Sequence, residues 1–457
     1  MQRALVFAIP FVIACNPIPD AIDAGVSRVE ANPGTLADAL EARGFIVQSG
    51  TFEFHDLTAC CQTSCSGNNP SSPYASFFVP PGPGQTAPNP KPREDGTAGA
   101  YRLRADEAIV YLGTTAPEAA YFGFTPYLFE RIDPRGNPAS IFASLSDTLN
   151  HLVIGTEGTT PWEQRTAVIV AADATTVERA RASLVEIGVP ERAINVITLD
   201  PAKSRFGLDA TADTFGVLFR MALVKDPAKE AAYLADPGGI VVRITPTVAL
   251  SSPLPSPVPR PQATTPSEQR LAPAVQRLSA AIQAAYPTLT ARAISVDEGV
   301  PQPAACIENL TFCGGDNPDT NYPGTKPRVV FSSDDDFYIV FGVNHERTHK
   351  TTYSNVSVYA LEKLVGLASV ASDRYAGSAL RYLPDDPAAA DLYAWKIART
   401  CHGEPFCLEI PKGSCPTGLE NGDLGTLTFR TYLEPASKTA PLSSTLVRDR
   451  VLVFKRR

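Results

Sequence analysis

The sequence predicts an α+β protein in which two diverged copies of a helix-plus-antiparallel-sheet unit are related by pseudo-twofold symmetry. Three observations lead to this prediction. Blocks of residues recur in one order, a proline-rich segment separates the two sets, and hydrophobic patterns are typical of a helix that leads into a sheet. Two insertions account for the greater length of the first copy: a loop rich in proline and glycine (80–99) and a βαβ segment.

The clearest repeat begins at a cysteine. The segment 65–74 matches the segment 313–322, with cysteine, glycine, asparagine, proline and tyrosine at identical spacing. Two looser blocks follow in the same order, which indicates duplication. They are Asp106, Glu107, Gly113, Tyr121, Tyr127 and Glu130 against Asp335, Asp336, Gly342, Tyr353, Tyr359 and Glu362, and then Asp213 and Arg220 against Asp391 and Arg399. The recurrence of the aspartate–arginine pairs in both copies suggests a structural role, such as a buried ion pair that ties the units together.

Local patterns predict the elements of each unit. Residues 271–282 carry the apolar stripe of a helix, and residues 337–343 form a buried strand against which 353–361 should pair back. In the insertion, residues 166–171 and 193–198 have the pattern of strands. The helix between them buries a face formed by Val177, Ala180, Leu184 and Ile187.

The N-terminus has the features of a secretory signal. Arg3 precedes an apolar stretch from Ala4 to Ala14, which is too short to cross a bilayer as a helix, and Cys15 follows a small residue. The segment 12–15 (Val-Ile-Ala-Cys) resembles the lipobox of bacterial lipoproteins. The resemblance implies cleavage before Cys15, acylation of that cysteine with chains such as palmitate, and attachment to a membrane through the lipid. Asn16 is compatible with sorting to the outer membrane, on its periplasmic face or at the cell surface. The alternative is an ordinary signal peptide that contains a cysteine.

The nine cysteines support this interpretation, because an odd number in an exported protein requires an explanation. If Cys15 carries lipid, eight cysteines are left to form four disulfides in an oxidising compartment. We expect Cys306 to pair with Cys313 and Cys401 with Cys407. No CxxC pair is present, which disfavours a structural zinc cluster. The disulfide candidates are Cys60, Cys61, Cys65, Cys306, Cys313, Cys401, Cys407 and Cys415.

These observations divide the chain into six segments. The predicted segments are a signal peptide (1–14), an anchor and tether (15–34), a first repeat unit with insertions (35–250), a proline-rich linker (251–266), a second repeat unit (267–422) and C-terminal closing strands (423–457).

One motif suggests metal chemistry. Residues 345–349 match HExxH, in which two histidines on one helix face bind zinc and the glutamate activates water. His345 and His349 are therefore candidate metal ligands, and Glu346 is a candidate catalytic base. The preceding strand, however, places 344–352 in a turn. A metallopeptidase site, a metal held by a loop and an exposed polar turn stay open, and the turn is favoured.

Two further clusters have alternative interpretations. The carboxylates Asp316, Asp319, Asp334, Asp335 and Asp336 suit calcium, although a solvated turn is favoured. The aromatic segment 121–127 could line a pocket for a hydrophobic or sugar ligand, although core packing is favoured. Zinc and calcium are thus candidate cofactors, and neither is established.

Several function classes are disfavoured. The formal net charge of −8 argues against nucleic acid as a partner. The chain has no GxSxG nucleophile elbow, phosphate-binding loop or dinucleotide fingerprint. We expect a lipid-anchored envelope protein that binds a small molecule or an envelope component between its halves. The rivals are a metal-dependent hydrolase using His345, Glu346 and His349, and a structural envelope protein.

Overall fold

The computed structural model describes residues 33–56, 59–62, 64–264, 266–299 and 301–456, all of which belong to one compact unit. The predicted signal peptide and Cys15 lie outside the described residues. We refer to residues 33–250 as the first half and to residues 266–456 as the second half. No α-helix in the described ranges is long and apolar enough to cross a membrane.

Strands dominate both halves, and the α-helices are few and short. In the first half the elements are α1 (Pro33–Glu41), β1 (Phe45–Phe54), β2 (Tyr74–Phe78), β3 (Ala108–Thr114), β4 (Ala119–Ile132), β5 (Pro138–Ser144), β6 (Leu149–Asn150), β7 (Arg165–Ala171), α2 (Ala174–Glu186), β8 (Ile194–Thr198), β9 (Thr214–Val224), α3 (Pro227–Ala235) and β10 (Ile240–Pro246). In the second half they are α4 (Ala272–Ala284), β11 (Leu289–Glu298), α5 (Pro303–Asn309), β12 (Thr320–Asn321), β13 (Pro323–Lys326), β14 (Phe337–Val343), β15 (Tyr353–Ala360), β16 (Val365–Ala371), β17 (Leu392–Ala398), β18 (Cys407–Glu409), β19 (Gly425–Tyr432) and β20 (Arg450–Arg456). The fold is therefore α+β, but the predicted helix-plus-sheet unit overestimates the helices.

Each half contains one large sheet, and the two strand orders correspond. The first sheet runs β5-β4-β9-β2-β1-β10-β3-β7-β8, with β6 on β4. The second runs β16-β15-β19-β13-β11-β20-β14-β17-β18, with β12 on β19. In both, the long first strand lies between the last strand of the half and a short strand, and the final pair (β7–β8 or β17–β18) is parallel.

Both sheets curl strongly, and in the first sheet a short connection requires it. Four strands separate β3 from β4, so a flat sheet would hold them about 24 Å apart. Residues 115–118 can bridge at most about 18 Å. The sheet therefore folds over, which brings Tyr111 of β3 within 6.0 Å of Phe124 of β4, measured between ring centroids. The predicted pairing of 337–343 with 353–361 is wrong, because four other strands lie between β14 and β15 in the second sheet. β14 pairs with β17 and β20, and β15 pairs with β16 and β19.

The hydrophobic core of each half has two parts. One fills the inside of the curl, and the other lies between the opposite face of the sheet and the helices. Val177, Ala180 and Leu184 of α2 pack against β3, and Val275, Leu278 and Ile282 of α4 pack against β14 and β20. The two predicted helices and the strand–helix–strand segment 166–198 are confirmed. The segment is not an insertion as a whole, because β7 and β8 occupy the places that β17 and β18 have in the second sheet, and only α2 has no helical counterpart there.

The strands near the C-terminus complete the second sheet. β19 lies between β15 and β13, and β20 lies between β11 and β14, as β9 and β10 lie in the first sheet. Arg220 lies on β9, whereas Arg399 directly follows β17, so the two arginines of the predicted third repeat lie at different places in the strand orders. The proline-rich segment packs against the first half. Its Ser252 N–H donates to Asp173 at 2.6 Å, and its Leu254 N–H donates to the Ala172 carbonyl at 2.8 Å.

Disulfides are present, as predicted. The pairs Cys306–Cys313 and Cys401–Cys407 close short loops, and Cys60–Cys65 closes a third. The fourth, Cys61–Cys415, spans 354 residues and links the two halves covalently.

Candidate ligand-binding site

A loop of the first half crosses to the second half. This first crossing loop, Cys65–Ser72, lies against the β15–β16 hairpin, and Cys65 packs in the core of the second half. Asn69 is fully buried, so its amide depends on the other half for hydrogen bonds. The bonds are Cys65 N to Lys363 O (2.8 Å), Gly67 N to Leu364 O (2.8 Å), Gly366 N to Asn68 Oδ1 (2.9 Å), Asn69 Nδ2 to Tyr353 Oη (2.7 Å) and Asn355 Nδ2 to Asn69 Oδ1 (2.8 Å).

A loop of the second half likewise crosses to the first half. This second crossing loop, Cys313–Thr320, lies against β4, β5 and β6, and Cys313 packs in the core of the first half. Its hydrogen bonds to the first half are Cys313 N to Ile141 O (2.7 Å), Gly315 N to Phe142 O (3.0 Å), Ser144 N to Asp316 Oδ1 (2.9 Å), Asn317 Nδ2 to Tyr121 Oη (3.1 Å), Thr148 Oγ1 to Asn317 Oδ1 (2.8 Å) and Tyr121 Oη to Asp319 Oδ2 (3.0 Å).

The two crossing loops make matching contacts. The same kinds of hydrogen bond recur at equivalent positions, which are 65, 67, 68 and 69 in the first loop and 313, 315, 316 and 317 in the second. The residues that accept from Gly67 and Gly315 are Leu364 and Phe142, with φ values of 49° and 47°. Non-glycine residues adopt this left-handed conformation only where the surrounding structure holds them in it. The repeated segment found in the sequence is thus the part of each half that enters the other.

Two buried arginines hold the ends of the crossing loops. Arg220 donates to Tyr127 Oη at 2.7 Å and to the Gly315 carbonyl at 3.4 Å. Arg430 donates to Tyr359 Oη and, at 3.3 Å, to the Gly67 carbonyl. Each guanidinium also lies over a tyrosine. Arg220 lies 5.3 Å from the ring centroid of Tyr74, at the start of β2, and Arg430 lies 5.5 Å from that of Tyr322, between β12 and β13.

These groups surround a cleft of about 760 Å³, lined by both halves. Small-molecule sites commonly have volumes of roughly 300–1,000 Å³. Tyr74, Tyr322, Arg220 and Arg430 line the cleft together with residues of both crossing loops. Its aromatic lining includes Phe78, Phe129, Phe142 and Phe312, and its remaining charged side chains are Asp56, Lys91, Glu130 and Arg328.

The carboxylates of the second crossing loop are buried and do not form a solvated turn, which corrects that expectation. Burial raises the pKa of Asp316 to about 6, against two hydrogen bonds from Ser144. Burial likewise raises the pKa of Asp319 to about 7, despite Arg260 and Asn150. The first loop has Asn68 and Ser71 at these positions. Asp334 and Asp335 lie apart from this loop and are exposed.

The HExxH residues do not converge. Residues 345–349 form a turn after β14; His345 is buried, whereas Glu346 and His349 are exposed. His345 Nδ1 lies 2.9 Å from Glu268, and Nε2 lies 3.7 Å from Asp449. Burial opposes the imidazolium charge, but the two carboxylates outweigh burial and raise the pKa of His345 to about 10. This histidine therefore acts as the cation of a buried ion-pair network.

Other predicted groupings also separate. Asp213 pairs with Arg131 at 2.6 Å, and Asp391 faces Arg347 at 3.6 Å, so the expected pairs with Arg220 and Arg399 are wrong. Tyr121 and Tyr127 are buried at the contact between the halves, as core packing predicts. Within the described ranges, Cys60, Cys61 and Cys65 form the one cluster of three or more potential metal ligands, and all three are in disulfides.

Arg430 is not among the residues predicted from the sequence, although the sequence contains a signal for it. Phe219-Arg220 precedes Leu223 as Phe429-Arg430 precedes Leu433, and both leucines have a positive φ, of 55° and 59°. This repeat lies on β9 and β19, which occupy the same place in the two sheets. It identifies the arginine of each half that faces the cleft.

We expect His345→Ala to lower the free energy of unfolding by about 3–5 kcal/mol at pH 7, because Glu268 and Asp449 would be left buried without their cation. The pKa of His345 is raised, so its stabilisation is complete below about pH 6.5 and is lost as the pH rises through about 10. The difference between wild type and variant should therefore shrink toward pH 10. Chemical denaturation at several pH values measures it.

His349→Asn is the matched control, since asparagine tolerates the left-handed conformation of residue 349 (φ 58°). This exposed substitution should change stability by less than about 0.5 kcal/mol. Stoichiometric metal in the wild type that both substitutions remove would contradict the structural role of His345 and restore the metal-binding interpretation.

Comparisons with known proteins identify no family. No protein-family model matches the chain, and no curated protein matches it. Among solved structures, the chain is similar to a putative uncharacterized protein from Burkholderia cenocepacia, with 13% identity, a TM-score of 0.42, and coverage of 92% of this chain and 86% of that one. A tandem CBM22 domain of Xyn10C from Paenibacillus barcinonensis aligns with 10% identity, a TM-score of 0.14, and coverage of 91% and 94%. Neither likeness is strong enough to carry an argument about fold or function.

Proposed function

We propose that this chain is an exported, lipid-anchored cell-envelope protein that binds a ligand in the cleft between its two halves. The observation that carries the proposal is that both halves line a cleft of about 760 Å³ whose buried arginines and tyrosines converge on it. Concave sites with a few convergent polar groups among aromatic side chains are typical of small-molecule binding.

We also propose that the halves are diverged copies related by a pseudo-twofold axis. The corresponding strand orders and the matched contacts of the crossing loops support this origin. So does the recurrence of Phe-Arg-x-x-Leu on β9 and β19. A cleft on such an axis would receive equivalent side chains from each copy, which accounts for the presence of both Arg220 and Arg430, and of both Tyr74 and Tyr322, in its lining.

The lipid anchor rests on the lipobox and on the odd cysteine. All eight cysteines of the described residues are in disulfides, which leaves Cys15 for acylation. We expect Cys15→Ser to move the protein from the membrane fraction to the soluble fraction of a bacterial host, and to abolish incorporation of labelled palmitate. Ser27→Ala is a control in the same segment. A Cys15→Ser protein that still sediments with membranes and is labelled would contradict the anchor.

A bulky substitution that narrows the cleft tests whether the cleft binds a ligand. Ser140 is an exposed serine of β5 that lines the cleft, and Ser49 is an exposed serine of β1 away from it. The soluble chain from residue 16 would be melted with a panel of organic acids, phosphate esters, sugars and amino acids. A ligand at a hundred times its Kd adds about 2.7 kcal/mol, a rise of a few degrees in Tm.

We expect at least one compound to raise the Tm of the wild type and of Ser49→Trp, and to leave the Tm of Ser140→Trp unchanged. If no compound raises the Tm of the wild type, or if Ser140→Trp responds as the wild type does, the cleft is not a binding site. The protein would then be better described as a structural component of the envelope.

A further inference from the structure

We propose that the cleft ligand is an organic oxyanion, a phosphate or carboxylate group on a ring or apolar body, held between Arg220 and Arg430. This inference rests on the proposed function and specifies its ligand. Four properties of the cleft support it: buried guanidinium groups without an ion pair, an unused donor, a cationic lining and exposed aromatic rings.

The first property is the absence of a counter-ion. Neither guanidinium forms an ion pair with a carboxylate of the described residues, although both arginines are about 3–4% exposed. Elsewhere in the protein Arg243 pairs with Glu107, and Arg131 pairs with Asp213. Asp316 interacts electrostatically with Arg220 and offsets part of its charge, but it forms no ion pair with that guanidinium, and its oxygens accept hydrogen bonds from Ser144. The main electrostatic partners of Arg430 are tyrosines. A buried cation without a bound partner is costly, and a ligand oxyanion would compensate for that cost.

The second property is the position and state of the donors. Arg220 lies over Tyr74 at 5.3 Å, Arg430 lies over Tyr322 at 5.5 Å, and all four side chains line the same cleft. Both guanidinium groups also interact electrostatically with Tyr74, Tyr322 and Tyr432. Arg430 Nε is buried and has no hydrogen-bond partner among the described residues. Guanidinium groups bind carboxylates and phosphates through paired N–H donors, which suits a ligand oxyanion at this locus.

The third property is the sign of the lining. Four cationic side chains (Lys91, Arg220, Arg328 and Arg430) and two carboxylates (Asp56 and Glu130) line the cleft. This local excess of positive charge occurs in a chain whose formal net charge is −8. Positive charge focused in a cleft raises the local concentration and the association rate of anions.

The fourth property is the aromatic lining beside the charges. Phe312 is 45% exposed, and Phe129 and Phe142 are only partly buried. Exposed rings next to a charged locus indicate a ligand with an apolar or ring-shaped body, because the rings gain stability when a ligand covers them. A bare inorganic anion would leave these rings in water.

The test compares each anion with a neutral analogue on the soluble chain from residue 16: phenyl phosphate with phenol, benzoate with benzamide, and glucose 6-phosphate with glucose. Inorganic phosphate reports on the oxyanion alone. Isothermal titration at two salt concentrations measures Kd. We expect one or more organic anions to bind, more weakly at high salt, and to bind more tightly than inorganic phosphate and the neutral analogues.

Two variants locate the charge. Arg430→Gln should weaken binding of the anion about 10- to 100-fold, since a charge-assisted hydrogen bond is lost. Because Arg430 also holds the first crossing loop, exposed Arg328→Glu provides a test that leaves the loop contacts intact, and it should weaken binding about 3- to 10-fold. Exposed Arg292→Gln on β11, outside the cleft, is the control and should bind as the wild type does.

Binding of neutral compounds alone, blocked by Ser140→Trp, would overturn the oxyanion while leaving the cleft proposal in place. Anion binding that neither Arg430→Gln nor Arg328→Glu weakens would overturn it as well. If inorganic phosphate binds as tightly as its esters do, the inference that the ligand has an organic body is wrong. If no compound binds, both the oxyanion and the proposed function fail.

Discussion

The exchange of crossing loops is the interaction on which the rest of the structure depends. Each half contributes a loop whose cysteine enters the core of the other half and whose buried amide bonds to a tyrosine there. Buried polar groups are costly without partners, so Asn69 and Asn317 make each half incomplete alone. The exchange also fixes the distance between the halves, because Cys61–Cys415 ties the first crossing region to the second half. The cleft between them is therefore held by both covalent and hydrogen bonds.

The arginines connect this architecture to the proposed function. Arg220 and Arg430 each bind the carbonyl of an incoming loop, yet neither has a carboxylate partner among the described residues. A side chain that only holds a loop in place could be uncharged, or could form an ion pair as Arg243 does with Glu107. Retaining two buried cations beside a cleft costs stability. The oxyanion proposal explains why the two buried charges are retained, because a bound ligand would neutralise them.

The sequence predicted the parts of this structure that depend on local or recurring patterns. The repeated segment beginning at Cys65 and Cys313, the helices near 177 and 275 and two short-loop disulfides all follow from spacing and periodicity. The curl of the sheets could not be predicted, because pairing between β14 and β20 depends on contacts far apart in sequence.

The HExxH pattern suggested a metal site for a related reason, namely that the residues which contact His345 are distant in sequence. Glu268 and Asp449, which neutralise His345, lie 77 and 104 positions away along the chain, and nothing near the motif identifies them. Arg430 was missed because the third repeat was aligned on aspartates instead of on Phe-Arg-x-x-Leu.

The reciprocal exchange has a direct consequence for folding. Without the second crossing loop, Tyr121, Tyr127 and Arg220 of the first half would lose buried partners. The most direct measurement is amide hydrogen exchange with thermal unfolding on residues 33–250 and 266–457, produced separately and together. We expect neither segment alone to show protected β4 and β9, or β15 and β19, or a cooperative transition, and we expect co-production to restore both. A first half that unfolds cooperatively by itself, with β4 and β9 protected as in the whole chain, would contradict the account.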